Sequence, residues 1–234
     1  MNPAEEAYSN TFMPERTYFL VIEHIKSLIR QGLITFGGKL PSERQLMSTL
    51  GLSRNSVREA LRTMENMGII ESRQGQGNFL INHITESLES TFSLLLTMNE
   101  CSYLEISQLR RSIEIGAYLL VVKQTTETNL RSLKQILDQM EKGRVEEHAR
   151  LDKHFHDTLI DLSGNRLLKL LSETLSGLVE NTIQDLLFHV SSEEWTCLLA
   201  LHTRIYACLL TRDEKAGIAA VMEHYDFIDR YNLS

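Results

Sequence analysis

Apolar residues recur at helical spacing along most of the chain, and the stretch that departs from this pattern carries the most information. Tyr18, Val21, Ile22, Ile25, Leu28 and Ile29 fall on one stripe and predict a helix over residues 15–31. Gly32 ends it, and Phe36-Gly37-Gly38 makes a turn before Lys39-Leu40-Pro41, which leads in extended because a residue preceding proline avoids the α region. Ser42 and Gln45 form a capping box that opens a second helix, with Leu46, Met47 and Leu50 facing inward and Gly51 as its end. Ser53 caps a third helix. On it Val57, Ala60, Leu61 and Met64 share one arc, while Arg54, Arg58 and Arg62 share another with Asn55 beside them. Gly68 ends this helix, residues 69–72 and 78–81 read as two short strands, and the tip Arg73-Gln74-Gly75-Gln76-Gly77 supplies the glycines a tight bend requires. Residues 1–13 are polar and aperiodic and read as a loose arm.

Beyond residue 81 the pattern changes. All three prolines and seven of the twelve glycines lie before residue 82, and helical periodicity then continues without a proline to the end. Helical stretches are expected at 84–98, 103–122, 127–142, 145–162, 165–190, 193–210 and 214–231. The separators are short: Gly143-Arg144, Ser163-Gly164, Ser191-Ser192 with Glu194 completing a capping box, and Thr211-Arg212-Asp213. Short connections favour antiparallel packing. The expected fold is therefore mainly α. A winged helix-turn-helix of three helices plus a small β-ribbon wing (residues 1–82) is joined to an all-α antiparallel bundle of six or seven helices (residues 83–234).

A length of 234 residues accommodates two such domains. The net charge of −7 looks unsuited to nucleic acid until it is divided. Residues 1–81 carry nine basic and eight acidic side chains, so the acidic excess lies entirely in residues 82–234. Neutralising a phosphate backbone needs local positive charge, not a basic whole. Cys101, Cys197 and Cys208 are odd in number, fit no paired spacing, and read as thiols of a reducing cytoplasm. The acidic start MNPAEEAYSN lacks the apolar core of a signal peptide, and no run has the apolar length of a bilayer span, so no membrane partner is expected.

The third helix has the layout of a DNA reader. Arg54 and Arg58 can reach guanine edges or phosphates, and Ser53, Asn55 and Ser56 sit at the helix N-terminus, where base edges or a phosphate would lie. Arg44 is placed for the backbone, and Gln74 and Gly75 for the minor groove. On an isolated helix such an arginine row would read as a solvated face. Here it follows a tight turn and precedes a Gly-rich ribbon, a context that favours DNA. The stretch LPSERQLMSTLGLSRNSVREALRTMENMGIIESRQGQGNFL resembles the DNA-binding domain of GntR-type bacterial transcription regulators over residues 15–81. The resemblance implies a homodimer reading a short palindromic operator in double-stranded DNA, with Arg44, Arg54, Arg58 and the Gln74-Gly75 wing as contacts.

Six of the eight histidines lie after residue 100. Asp152 and His156 stand four apart on one helix face, and His202 and His224 lie inside the last two helices. One carboxylate and three imidazoles from three packed helices suit Zn²⁺ or another first-row divalent ion such as Ni²⁺ or Mn²⁺. The alternative is that His202 and His224 are hydrogen-bonded core residues. His154 points away from this face, and His148 and His189, near helix ends, read as surface or dipole partners. LRRSIEIGAYLLVV, LDKHFHDTLIDLSGN and LHTRIYACLLTRDEKAGIAAVMEH resemble the signature segments of the FadR-like (FCD) effector domain. That resemblance implies a metal held by Asp152, His156, His202 and His224, and a small carboxylate effector held by Arg110, with Asn165 as a further candidate. A surface ion pair with Glu114 is the competing reading of Arg110. Gly116-Ala117-Tyr118 followed by Leu119-Leu120-Val121-Val122 departs from the family's alanine-rich packing, so cavity shape does not transfer. The function expected is that of a cytoplasmic, homodimeric, metabolite-responsive repressor with no catalytic residues. The alternatives are a metal-dependent hydrolase, since such a site can activate water, and a metal-ion sensor.

Overall fold

The computed structural model of the chain describes residues 13–124 and 126–232, so the arm expected at residues 1–13 lies almost wholly outside them. The chain divides into two compact units, one ending at Leu88 and the other starting at Glu89.

The first unit contains α1 (Met13–Arg30), α2 (Glu43–Leu50), α3 (Arg54–Asn66), β1 (Ile70–Arg73) and β2 (Gly77–Leu80). Its core includes Val21, Ile25, Leu46, Val57, Ala60, Met64, Ile70 and Leu80, drawn from all three helices and both strands. Local signals set the elements. Ser42 and Gln45 cap α2 reciprocally, and Ser53 accepts the amide of Ser56 to start α3. Gly51 ends α2 at φ +65°, a left-handed conformation that costs glycine nothing and permits the tight turn into α3. The strands are shifted by one residue from their expected limits because Arg73 pairs with Gly77, leaving only Gln74, Gly75 and Gln76 for the tip. A third extended segment joins them: Leu40 N–H donates to Asn78 O at 2.8 Å and Leu80 N–H to Gly38 O at 2.9 Å, placing Lys39 beside β2.

In the second unit the described helices are α4 (Ile84–Thr97, whose first turns precede the junction), α5 (Tyr103–Gln124), α6 (Arg131–Lys142), α7 (Val145–Leu162), α8 (Arg166–His189), α9 (Ser192–Thr211) and α10 (Glu214–Asn232). α6 starts four residues later than expected. The segment TTETN is rich in β-branched and side-chain-capping residues that favour turns, and residues 127–130 form turns before Arg131. Helix α5 is the central rod and packs against α7, α8, α9 and α10. Its two adjacent arginines part company because a helix rotates about 100° per residue. Arg111 pairs with Asp226 at 2.8 Å and Asp229 at 2.7 Å on α10, while Arg110 faces elsewhere.

One close approach sets how α5 meets α10. The ring of Tyr118, fully buried, lies 1.9 Å from where a Cβ on Gly217 would stand, and its hydroxyl donates to Asp213 O at 2.8 Å. Gly217→Ala gains helix propensity of roughly 1 kcal/mol but overpacks a rigid ring at a cost of about 1–3 kcal/mol. A net loss of unfolding free energy is expected from urea denaturation. A gain in stability would mean that this contact yields freely.

Candidate nucleic-acid interface and candidate metal centre

Val57, Ala60, Leu61 and Met64 anchor α3 in the core, which turns its arginines outward. The side chains of Arg54 and Arg58 are 70% and 49% exposed, and both point toward Glu43 on α2, at 3.5 and 3.8 Å. Exposed pairs of this kind contribute little, about 0–1 kcal/mol, so either arginine can exchange Glu43 for a phosphate or a base edge. Arg44, Ser53 and Asn55 are also exposed, and Ser56 is half-buried with its hydroxyl 2.9 Å from that of Ser53. Gln74 and Gly75 form the exposed wing tip, with Gly75 at φ +72°. Arg73 beside them lies over the Phe79 ring at 4.4 Å and pairs with Glu71 at 2.8 Å. Two features escaped the sequence reading. Glu43 was not recognised as the resting partner of the arginines. Lys39 was treated only as part of a lead-in, although its side chain reaches Gly77 next to the wing.

In the second unit the structure brings Asp152 and His156 of α7, His202 of α9 and His224 of α10 together. Their donor atoms lie within 4.8 Å of one another, and all four residues are buried. Asp152 Oδ1 stands 3.1 Å from His202 Nε2, 3.5 Å from His224 Nε2 and 3.7 Å from His156 Nε2. His156 Nε2 is 3.2 Å from His202 Nε2 and 3.3 Å from His224 Nε2. Four donors around a small first-row ion at bonds of roughly 2.1 Å stand roughly 3.4 Å apart, so this spacing fits one. Other partners hold the rings. His202 Nδ1–H donates to Leu198 O at 2.8 Å, which leaves Nε2 a bare lone pair facing Asp152. Asp152 Oδ1 accordingly lacks a hydrogen-bond donor although it is buried. Two acceptors aimed at one point call for a cation.

The electrostatics agree. Burial opposes charge on His156, but the Glu114 and Asp152 carboxylates outweigh it and push this imidazole up to about 10. Burial and the charge on His156 push His224 down to about 4. Asp152 is held well below the usual carboxylate range, its burial overcome by the charge on His156 and by the other two imidazoles around it. Each of these directions follows from buried carboxylates set among three imidazoles.

Beside the cluster lies a cavity of about 180 Å³ between α5, α7 and α8, with Arg110, Asp152, Lys153, Ser176, Glu180 and Gln184 among its lining. Arg110 Nε is buried without a hydrogen-bond partner. The competing reading of Arg110, a surface ion pair with Glu114, is overturned. Glu114 is 1% exposed, and its oxygens accept from His156 Nδ1 at 2.7–2.8 Å and from the Tyr225 hydroxyl at 3.0 Å. Asn165 is exposed, its side-chain oxygen accepts the amides of Leu167 and Leu168 as the α8 cap, and it is not among the residues lining the cavity. His148 is not a surface residue either, but is buried and stacked on Trp195 at 3.5 Å. His154 and His189 are exposed, as expected.

A winged helix-turn-helix with an outward arginine row, followed by a helical unit with a buried cluster and adjoining cavity, defines a DNA-binding transcription regulator. The chain matches the model of the bacterial regulatory proteins of the gntR family over residues 17–80 and that of the FCD domain over residues 105–227, and it belongs to the GntR family, in the group carrying an FCD domain. It is similar to the HTH-type transcriptional regulator LutR of Bacillus subtilis (strain 168), with 29% identity covering 84% of this chain and 92% of that protein. It is also similar to the Glc operon transcriptional activator of Escherichia coli (strain K12), with 27% identity covering 88% and 84%. A solved structure titled Streptococcus agalactiae GntR shares the fold with a TM-score of 0.69 at 24% identity, covering 93% of this chain and 99% of that one. The family and these relatives are named as transcription regulators. Among the described residues no helix is long and apolar enough to cross a membrane.

For α3 the expected outcome is direct. Arg54→Ala weakens binding to the specific operator by roughly 1–3 kcal/mol, read by mobility shift at fixed salt. An unchanged affinity would remove Arg54 from the interface.

Proposed function

We propose that this regulator's binding to DNA is controlled by a small carboxylate metabolite at a metal-containing pocket in the helical unit. The observation that carries the reading is a cavity lined both by Arg110, whose Nε is buried with no partner, and by Asp152, the carboxylate of the buried Asp/His₃ cluster. A carboxylate satisfies both, accepting from the Arg110 guanidinium and offering oxygen to an ion held by Asp152, His156, His202 and His224. Zn²⁺ suits three imidazoles and one carboxylate best, with Ni²⁺ and Mn²⁺ as the other members of the class. In this reading residues 1–82 bind DNA through Arg44, Ser53, Arg54, Asn55, Ser56, Arg58, Gln74 and Gly75, and residues 83–234 bind the effector.

A cytoplasmic homodimer on a palindromic operator completes the proposal, with repression as the sign of control. What supports a second copy is α4. Its segment ITESLESTFSLLLT is strongly apolar, yet none of its residues is buried, and Leu94 and the adjoining Met98 are 58% and 57% exposed. The effector acts by binding one arrangement of the dimer more tightly than another, and that difference limits the response.

A second reading has its own support. The four protein donors are spaced to fill a small ion's shell unaided, which would make the ion itself the signal. Operator binding titrated with metal alone, then with metal plus a panel of small organic acids, separates the two. A response to metal without any acid favours the sensor.

His156→Ala is expected to lower bound metal, measured by elemental analysis of the purified protein; equal metal in variant and parent would exclude the site. Arg110→Ala is expected to abolish the organic-acid response, including the ligand-induced rise in melting temperature, while sparing operator binding at low salt. A normal response would take Arg110 out of the pocket's function.

A further inference from the structure

The three histidines of the cluster differ in what stands behind them. His202 Nδ1 faces a backbone carbonyl and His224 Nδ1 has no hydrogen-bond partner, whereas His156 Nδ1 faces both oxygens of Glu114 at 2.7–2.8 Å. Glu114 comes from α5, 42 positions away in sequence, and its Oε2 also accepts from the Tyr225 hydroxyl of α10 at 3.0 Å. A carboxylate that is 1% exposed is a costly feature of a bundle, and an apolar side chain of similar volume there would often leave the fold as stable or more so. Arg110 and Arg111 do not relieve it. Each guanidinium lies 5.9 Å from the Tyr225 ring centre, and Arg111 is committed to Asp226 and Asp229. The buried charge of Glu114 is therefore spent on His156.

We infer that Glu114, fixed by Tyr225, is a positioning residue for the metal. It holds His156 with Nδ1 protonated and Nε2 turned into the cluster, and it brings the buried negative charge around the site to two, matching a divalent ion. The inference rests on the metal reading above and extends it to two residues outside the donor set. A carboxylate behind a ligating imidazole fixes its tautomer and orientation and raises its basicity as a donor, and loss of such a partner typically costs about 10–100-fold in metal affinity. Glutamine at this position still accepts from Nδ1–H but removes the charge. Phenylalanine at position 225 keeps the ring and removes only the hydroxyl that steadies the carboxylate.

The test uses the full-length protein stripped of metal, with Zn²⁺ affinity from chelator competition and the absorption bands of the Co²⁺-loaded form. Glu114→Gln is expected to weaken Zn²⁺ binding by about 10–100-fold and to move the Co²⁺ bands, and Tyr225→Phe to do both to a smaller degree. A role confined to packing would lower the urea midpoint of the metal-free protein and leave affinity and spectrum as in the parent, and that result overturns the inference. Should Glu114→Gln not fold, Tyr225→Phe decides alone, with parental affinity and bands as the contrary outcome. If the parent binds neither Zn²⁺ nor Co²⁺, the metal reading falls and takes this one with it. If the parent binds and both variants match it, only the positioning role falls.

Discussion

Two carboxylates buried among three imidazoles set the terms for the helical unit. Asp152 and Glu114 lie out of water between α5, α7, α9 and α10, and ions in such a place are tolerated only when each has a partner. Glu114 has His156 and Tyr225; burial pushes its carboxyl toward the neutral acid, but the charge and hydrogen bond of His156 outweigh this and hold the group below the usual carboxylate range, ionised. Asp152 has only the Nε2 atoms of the three rings, and one of its oxygens lacks a donor. The negative charge at the centre of the bundle is thus incompletely neutralised by the groups around it. Apolar residues pack around it: Phe155 stands edge-on to both His156 and His202.

The reader unit works on the opposite principle. Its arginines are exposed and loosely engaged with Glu43, so their attraction to DNA is set by solvent, salt and geometry rather than by burial. What the fold contributes is direction. Ser53 starts α3 and Gly51 fixes the turn before it, and the apolar arc from Val57 to Met64 decides which side of the helix faces out.

These two principles explain how far the sequence could be read. The caps at Ser42, Ser53 and Ser191, the left-handed Gly51 and the two arcs of α3 are signals within a few residues of one another, and each appears in the structure where it was expected. Asp152 and His156 share a helix, so their spacing was informative, whereas joining them to His202 and His224 leaned on resemblance to known segments. Glu114 was misjudged because its partners are 42 and 111 positions away, and sequence offers only its neighbour four residues back, Arg110. Asn165 is the cap of α8, as its place after Ser163-Gly164 indicates. His148 lies near the start of α7 yet is buried against Trp195 of α9, a contact that helix position alone does not reveal. Lys39 and Glu43 were overlooked because a β-bridge and a helix-to-helix ion pair leave no periodic trace.

The placement of Arg110 and Glu114 on one helix has a consequence for how a ligand would be felt. They stand one turn apart on α5, Arg110 lining the cavity and Glu114 behind the cluster, with the Tyr225 ring near both. A ligand that draws the Arg110 guanidinium therefore acts on the same rod that carries the outer partner of His156. Under the proposed function, metal and effector would be coupled through α5 and α10 as well as by direct contact, and linkage would make that coupling reciprocal: whatever the ion adds to effector affinity, the effector adds to the hold on the ion. The sensitivity of such a device depends on how stiffly α5 is seated. Arg111 clasped to Asp226 and Asp229, and Tyr118 pressed against Gly217, leave that helix little freedom to absorb a pull at Arg110 without passing it on to α10.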